Sequence, residues 1–241
     1  MINIMRACLM MFYPFFIDYW YLVLIVPVMI ISAVIQVKLR STYHKYAQVL
    51  SARGYTGAQM AEKVLRDHEI YDVRVEPVRG ELTDHYSPKE GVIRLSQNVY
   101  GSTSVAALGI ACHEAGHAVQ HQQKYFPLAL RNAFIPVVNF SSSFSWLIVL
   151  LGLVLSYPVL IDIGLILFAA VAVFQLITLP VEFNASQRAI TVLRDSQVLS
   201  EEELRGTKKV LRAAAMTYVA ALAMSIVSWL RLFLLTRNRR D

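Results

Sequence analysis

His113-Glu114-Ala115-Gly116-His117 is the stretch of this 241-residue chain whose residue types and spacing could do chemistry. On a helix, two histidines four positions apart lie on one face, about 40° apart on adjacent turns. Both imidazoles can then reach one metal ion. Glu114 is turned about 100° from His113, so its carboxylate falls beside such a metal rather than on it. A carboxylate there is placed to take a proton from a water acidified by zinc. The pattern predicts one Zn2+ per chain, held by His113 and His117, with Glu114 as general base.

Hydrolytic zinc keeps one coordination position for water, so two histidines need one more protein ligand. His121 continues the i+4 series, but the series drifts to about 80° from His113, two turns along a rigid helix. It reads as a polar-face or supporting residue. Gln120 and Gln123 stand where the metzincin pattern needs Gly and His, which excludes that class. His44, His68 and His85 have no helical partner and read as surface histidines. Cys112 points about 100° away from His113 and reads as a small buried side chain. Cys8 reads as a passive tail residue, and the two cysteines form no metal-binding or disulfide spacing.

The elements that must position these residues belong to a membrane protein. Hydrophobic residues make up 56% of the chain and charged ones only 17%, too apolar for an ordinary soluble domain. The net charge of +6 therefore reads as a set of topology signals. No basic-aromatic pattern points to nucleic acid. Residues 1–37 form an N-terminal tail and a first span over Tyr19–Val37, too long for a cleavable signal and followed by no small-residue cleavage site.

Residues 38–133 are polar and mixed in pattern. A capping box at Thr56 opens a helix over 57–68. Residues 72–78 and 91–95 read as short strands, with a turn-rich stretch over 80–89 between them. Ser102-Thr103-Ser104 offers an N-cap for a helix that reaches about Gln123 and carries both histidines. Val92–Leu95 has two open readings, an edge strand that pairs with an extended substrate or a plain core strand.

Residues 134–180 read as a transmembrane hairpin, broken at Tyr157-Pro158 and ended by Pro180. Residues 181–212 are polar. The last run, Ala213–Leu235, is interrupted by Arg231 and trailed by basic residues in the segment 213–241. The expected fold class is a mainly α membrane protein with about four spans and a small α+β zincin-like lobe.

This topology bears on the third ligand. A hairpin returns the chain to the side it left, so Glu182 shares a bilayer face with His113 and His117 in either orientation. Glu182 is the expected ligand; its other reading is a solvated surface carboxylate.

Gly80-Glu81-Leu82-Thr83-Asp84-His85-Tyr86, the His113–His117 stretch, Leu179–Ser186 and Lys209-Val210-Leu211-Arg212-Ala213-Ala214-Ala215 resemble a known family. It is the bacterial membrane family of putative neutral zinc metallopeptidases, and the resemblance covers nearly the whole chain. That family is similar to the membrane zinc peptidases of the prenyl-protein and heat-shock type. Their third ligand is the Glu of a Glu-Phe-x-Ala-Asp segment. Glu182-Phe183-Asn184-Ala185 fits and implies Glu182 as ligand, while Ser186 stands where the wider group has Asp. Asn184, Ser186 and Asp84 are the candidates for orienting the histidines.

The expected function is an integral-membrane zinc endopeptidase acting on protein or peptide substrates at the bilayer surface. Arg188, His85 and Tyr86 are candidates to meet the oxyanion, each with an ordinary surface reading beside it. Two rivals stand. An intramembrane site-2-type protease would bury the motif in a long apolar span, but only Val105–Cys112 precedes it. A non-enzymatic assembly factor would hold structural zinc, which is usually closed by four Cys or His ligands. Lys38, Arg40, Lys45, Lys124 and Arg131 place the site on the cytoplasmic face of a bacterial plasma membrane, and Arg188, Arg194 and the 205–212 cluster agree. The basic C-terminal tail opposes this if all four runs cross. The sequence sets no oligomeric state.

Overall fold

The computed structural model describes residues 18–237, so Cys8 and the terminal Arg239 and Arg240 lie outside the described residues. Among the described residues, four helices are long and apolar enough to cross a membrane: Tyr21–Ala47, Phe126–Val154, Pro158–Asp195 and Glu201–Arg237. The first opens with one π-helical turn, Tyr21–Ile25, and continues as α1, Val26–Ala47.

These helices run past the apolar stretches that identify them. Residues 38–47 contain no Gly or Pro, so nothing stops α1 where its apolar run ends at Val37. Pro180 does not end the third long helix, contrary to the sequence expectation; the helix runs through it to Asp195. Proline in an apolar helix is tolerated where neighbouring groups satisfy the backbone it frees. The consequence is functional. With the helix unbroken, Glu182 and Ser186 stand at i and i+4 on one face.

The chain divides into two compact units. Of the described residues, one takes 18–34, Phe134–Leu176 and 219–237. Its buried centre gathers Val149, Ile161, Leu165 and Leu232. Trp229 donates its indole N–H to the Leu165 carbonyl at 3.1 Å. Arg231, the charge that interrupts the last apolar run, donates Nε–H to Asp18 Oδ2 at 2.9 Å and lies over the Tyr21 ring. Pairing of this kind is how an apolar span accommodates a guanidinium.

The other unit takes Ile35–Ala133 and Ile177–Tyr218 and carries every candidate site residue. Its elements are α2 (Gly57–Asp67), β1 (Arg74–Val78), β2 (His85–Ser87), β3 (Val92–Ser96), α3 (Gln97–Tyr100) and α4 (Val105–Gln122). The remaining long helices are α5 (Phe126–Val154), α6 (Pro158–Asp195) and α7 (Glu201–Arg237), each contributing its polar end. Thr56 and Gln59 close the expected capping box on α2, whose Met60, Ala61, Val64 and Leu65 are buried. Ser104 caps α4 by accepting the Ala107 N–H.

The sheet decides between the two readings of Val92–Leu95. Its order is β1-β3-β2, with β1 parallel and β2 antiparallel to β3. β3 is therefore central, with Val92, Ile93 and Leu95 fully buried, and it offers no free edge. The edges are β1 and β2, and β2 lies inside the stretch read as turn. A three-residue strand carries too little alternation to be seen before its partner is known.

Candidate metal centre

α4 is built to lie close to another helix. Ala107, Ala111, Ala115 and Ala118 are buried along it, and Gly116 completes the small face. A Cβ on Gly116 would stand 3.1 Å from the Ala185 carbonyl oxygen, so the glycine permits α6 to approach backbone to backbone. Ala185 belongs to the turn that carries Glu182 and Ser186.

The two helices bring one atom from each of His113, His117 and Glu182 to within 4.8 Å of one another. His113 Nε2 lies 3.3 Å from Glu182 Oε2, and His117 Nε2 lies 3.6 Å from the same oxygen. Atoms each about 2.1 Å from a common tetrahedral centre stand about 3.4 Å apart, so the spacing suits zinc. Glu182 Oε2 is buried and has no hydrogen-bond partner. A buried carboxylate oxygen without a donor carries a large desolvation cost unless a cation satisfies it. Two imidazoles and a carboxylate are the donor set zinc takes in hydrolytic sites.

The rest of the cluster fixes these atoms. His117 Nδ1–H donates to Gln120 Oε1 at 2.9 Å. Gln120 is fully buried and donates to the Val181 carbonyl and to Asn184 Oδ1, each at 2.9 Å. His113 Nδ1 shares a hydrogen bond with Ser186 Oγ at 3.1 Å. Both rings thus keep Nε2 turned toward Glu182. Arg131 on α5 donates to Glu182 Oε1 at 3.2 Å, occupying one carboxylate oxygen and leaving the other.

Of the three candidates for orienting the histidines, Ser186 touches His113 directly and Asn184 acts through Gln120. Asp84 does neither. Its carboxylate accepts the Ser96 backbone N–H at 2.7 Å, tying the loop before β2 to β3. Burial pushes the Asp84 carboxyl up, Ser96 opposes the shift, and nearby Glu114 adds to it.

Glu114 is buried and lines a cavity of about 180 Å³ together with His113, His117, Glu182, Arg131 and Tyr218. His85 and Tyr86 of β2 form another part of that wall. Tyr86 also meets His121 Nδ1 at 3.1 Å, which accounts for His121 outside the three-residue cluster. Arg188 donates to Asn184 at 2.7 Å and does not line this cavity. Cys112 is fully buried, and burial pushes its thiol up, away from reactivity.

Three contributors escaped sequence reasoning: Gln120, Arg131 and Tyr218. Gln120 carried a usable signal, since it follows His117 by one helical turn. Arg131 read as a topology charge, and Tyr218 lies in the last apolar run with no motif to mark it.

A family model described as putative neutral zinc metallopeptidase matches residues 21–237. A relative described as the putative membrane protease YugP of Bacillus subtilis (strain 168) is 48% identical over 206 residues. The match covers 86% of this chain and 92% of the relative. No solved structure matches the chain.

Proposed function

The chain belongs to the family of putative neutral zinc metallopeptidases, and from that premise we propose an integral-membrane zinc endopeptidase that cleaves polypeptides at the membrane surface. His113, His117 and Glu182 are the ligands to one zinc ion per chain. The carrying observation is Glu182 Oε2, buried without a hydrogen-bond donor and 3.3 Å and 3.6 Å from two imidazole nitrogens.

Lewis acidity is the chemistry a zinc ion supplies when bound here. Glu114 accepts the proton of the attacking water and returns it to the departing amine. Its carboxylate is turned from the histidine face by the helix, so it serves as base without serving as ligand. Tyr218 faces both Glu182 and Glu114 and donates to the oxyanion. Arg131 holds Glu182 Oε1 and keeps the carboxylate from rotating. The outer edge of β2 receives the substrate as an added strand, with His85 and Tyr86 in the cavity wall beside the scissile bond.

Two observations weigh against the rival readings. α4 is absent from the helices long and apolar enough to cross a membrane, unlike the helix an intramembrane protease requires. The cluster, among the described residues, holds three ligands rather than the four of a closed structural site. The basic residues of the second unit favour its placement on the cytoplasmic side of a bacterial plasma membrane.

The deciding experiment compares full-length protein and Glu114→Gln on an unfolded protein substrate in detergent, with metal content measured in both. Glu114→Gln keeps its zinc and loses proteolysis by at least about a thousandfold. Full proteolysis in that variant would refute the base assignment.

A further inference from the structure

On another side of the second unit, the polar ends of α1 and α7 enclose a groove of about 650 Å³. Lys38, Lys45, Lys209 and Arg212 line it, with Tyr46 between the two helices. All four cations are exposed, and none has an ion-pair partner among the described residues. Some other cations of this unit are paired, as Lys63 with Asp67 and Arg74 with Glu76. Four like charges around one depression repel one another and are retained here without compensation.

The groove is formed rather than incidental. Lys45 Nζ and Lys209 Nζ lie 5.7 Å and 6.0 Å from the centroid of the same Tyr46 ring, one from each helix. That ring rests on Gly206, where a Cβ would stand 2.8 Å from its carbons. Glycine at 206 therefore lets Tyr46 lie flat against α7 and hold both ammonium groups inward. Lys209 and Arg212 are three apart and share a helical face, while Val210 and Leu211 turn into the core.

Polarity changes along the groove. α1 passes from apolar to basic at Lys38, and α7 passes from basic to apolar at Ala213. The two transitions meet, so the same groove offers cations at one end and Ile35, Ala213 and Met216 at the other. An acidic peptide would need only the first part. A molecule with a phosphate at one end and a hydrocarbon chain at the other matches both.

We infer that this groove binds an anionic phospholipid, its phosphate between Lys38, Lys45, Lys209 and Arg212 and its acyl chain along Ile35 and Met216. The assignment is independent of the proteolytic reading, since none of these residues belongs to the metal centre.

Native mass spectrometry of the full-length protein in detergent, with equal phosphatidylglycerol and phosphatidylcholine, tests it. The wild type retains phosphatidylglycerol over phosphatidylcholine by about tenfold. Changing Lys38, Lys45, Lys209 and Arg212 together to Gln abolishes that preference. Changing Arg53, Lys89, Lys124 and Arg194 together to Gln, an equal loss of charge at exposed positions outside the groove, leaves it intact. If the first variant does not fold, Lys209→Gln with Arg212→Gln alone gives about a threefold loss. Equal retention of both lipids by the wild type overturns the inference, as does an equal loss in both four-residue variants. Displacement of the lipid by millimolar inorganic phosphate would make this a site for free phosphate. Binding of polyglutamate without lipid preference would make it a peptide groove.

Discussion

Among the described residues, two ionic clusters differ in one respect that separates structure from chemistry. In the first unit, Asp18 and Arg231 face each other, with the guanidinium donating to the carboxylate and resting on Tyr21. The arrangement is closed. In the second unit, Arg131 also donates to a carboxylate, that of Glu182, but reaches only Oε1. The second oxygen is buried, undonated and aimed at two imidazole nitrogens. A closed pair makes an interior charge tolerable and does nothing more. An open one holds a desolvation cost in readiness for a cation.

The sharpest way to break this comparison is to remove the open carboxylate. Glu182→Ala is expected to lower zinc affinity by more than about a hundredfold and to take proteolysis with it. Metal analysis showing one zinc per chain in that variant would remove Glu182 from the ligand set. Tyr218→Phe should leave zinc bound and lower kcat by about a hundredfold, with little change in KM. An unchanged kcat would return the oxyanion to another donor. Gln120→Leu frees His117 Nδ1, and about a tenfold loss of zinc affinity is the expected result in a competition titration. The closed pair predicts a different pattern, visible only in stability. Arg231→Leu alone should cost about 3 kcal/mol by thermal or denaturant unfolding in detergent, and adding Asp18→Leu should restore most of it. If the double variant is as unstable as the single, the pair has a role beyond mutual neutralisation.

Local physics made much of this site readable. The four-residue spacing of His113 and His117, the offset of Glu114, the cap at Ser104 and the capping box at Thr56 depend on helical geometry alone. The parity of spans placed Glu182 on the histidines' side of the bilayer before any coordinates, because a hairpin returns where it began. Helix ends were less legible. Apolar runs mark where lipid requires hydrophobic side chains, whereas a helix can continue beyond them. α1 and α7 therefore carry their basic residues into the second unit, and α6 passes through Pro180 to align Ser186 with Glu182.

By itself, then, the sequence determined that a membrane chain carries a helix able to present two imidazoles and a base, and which carboxylate could meet them. The tertiary structure alone decided that β3 is central and β2 an edge, that Gln120 and Ser186 orient the rings, and that Arg131 closes half of Glu182. It also decided that lysines 38, 45 and 209 share one groove with Arg212. The reason lies in separation along the chain. Ser186 reaches His113 across 73 residues and Arg131 reaches Glu182 across 51. Such contacts follow no helical or strand period and exist only once packing has brought the segments together.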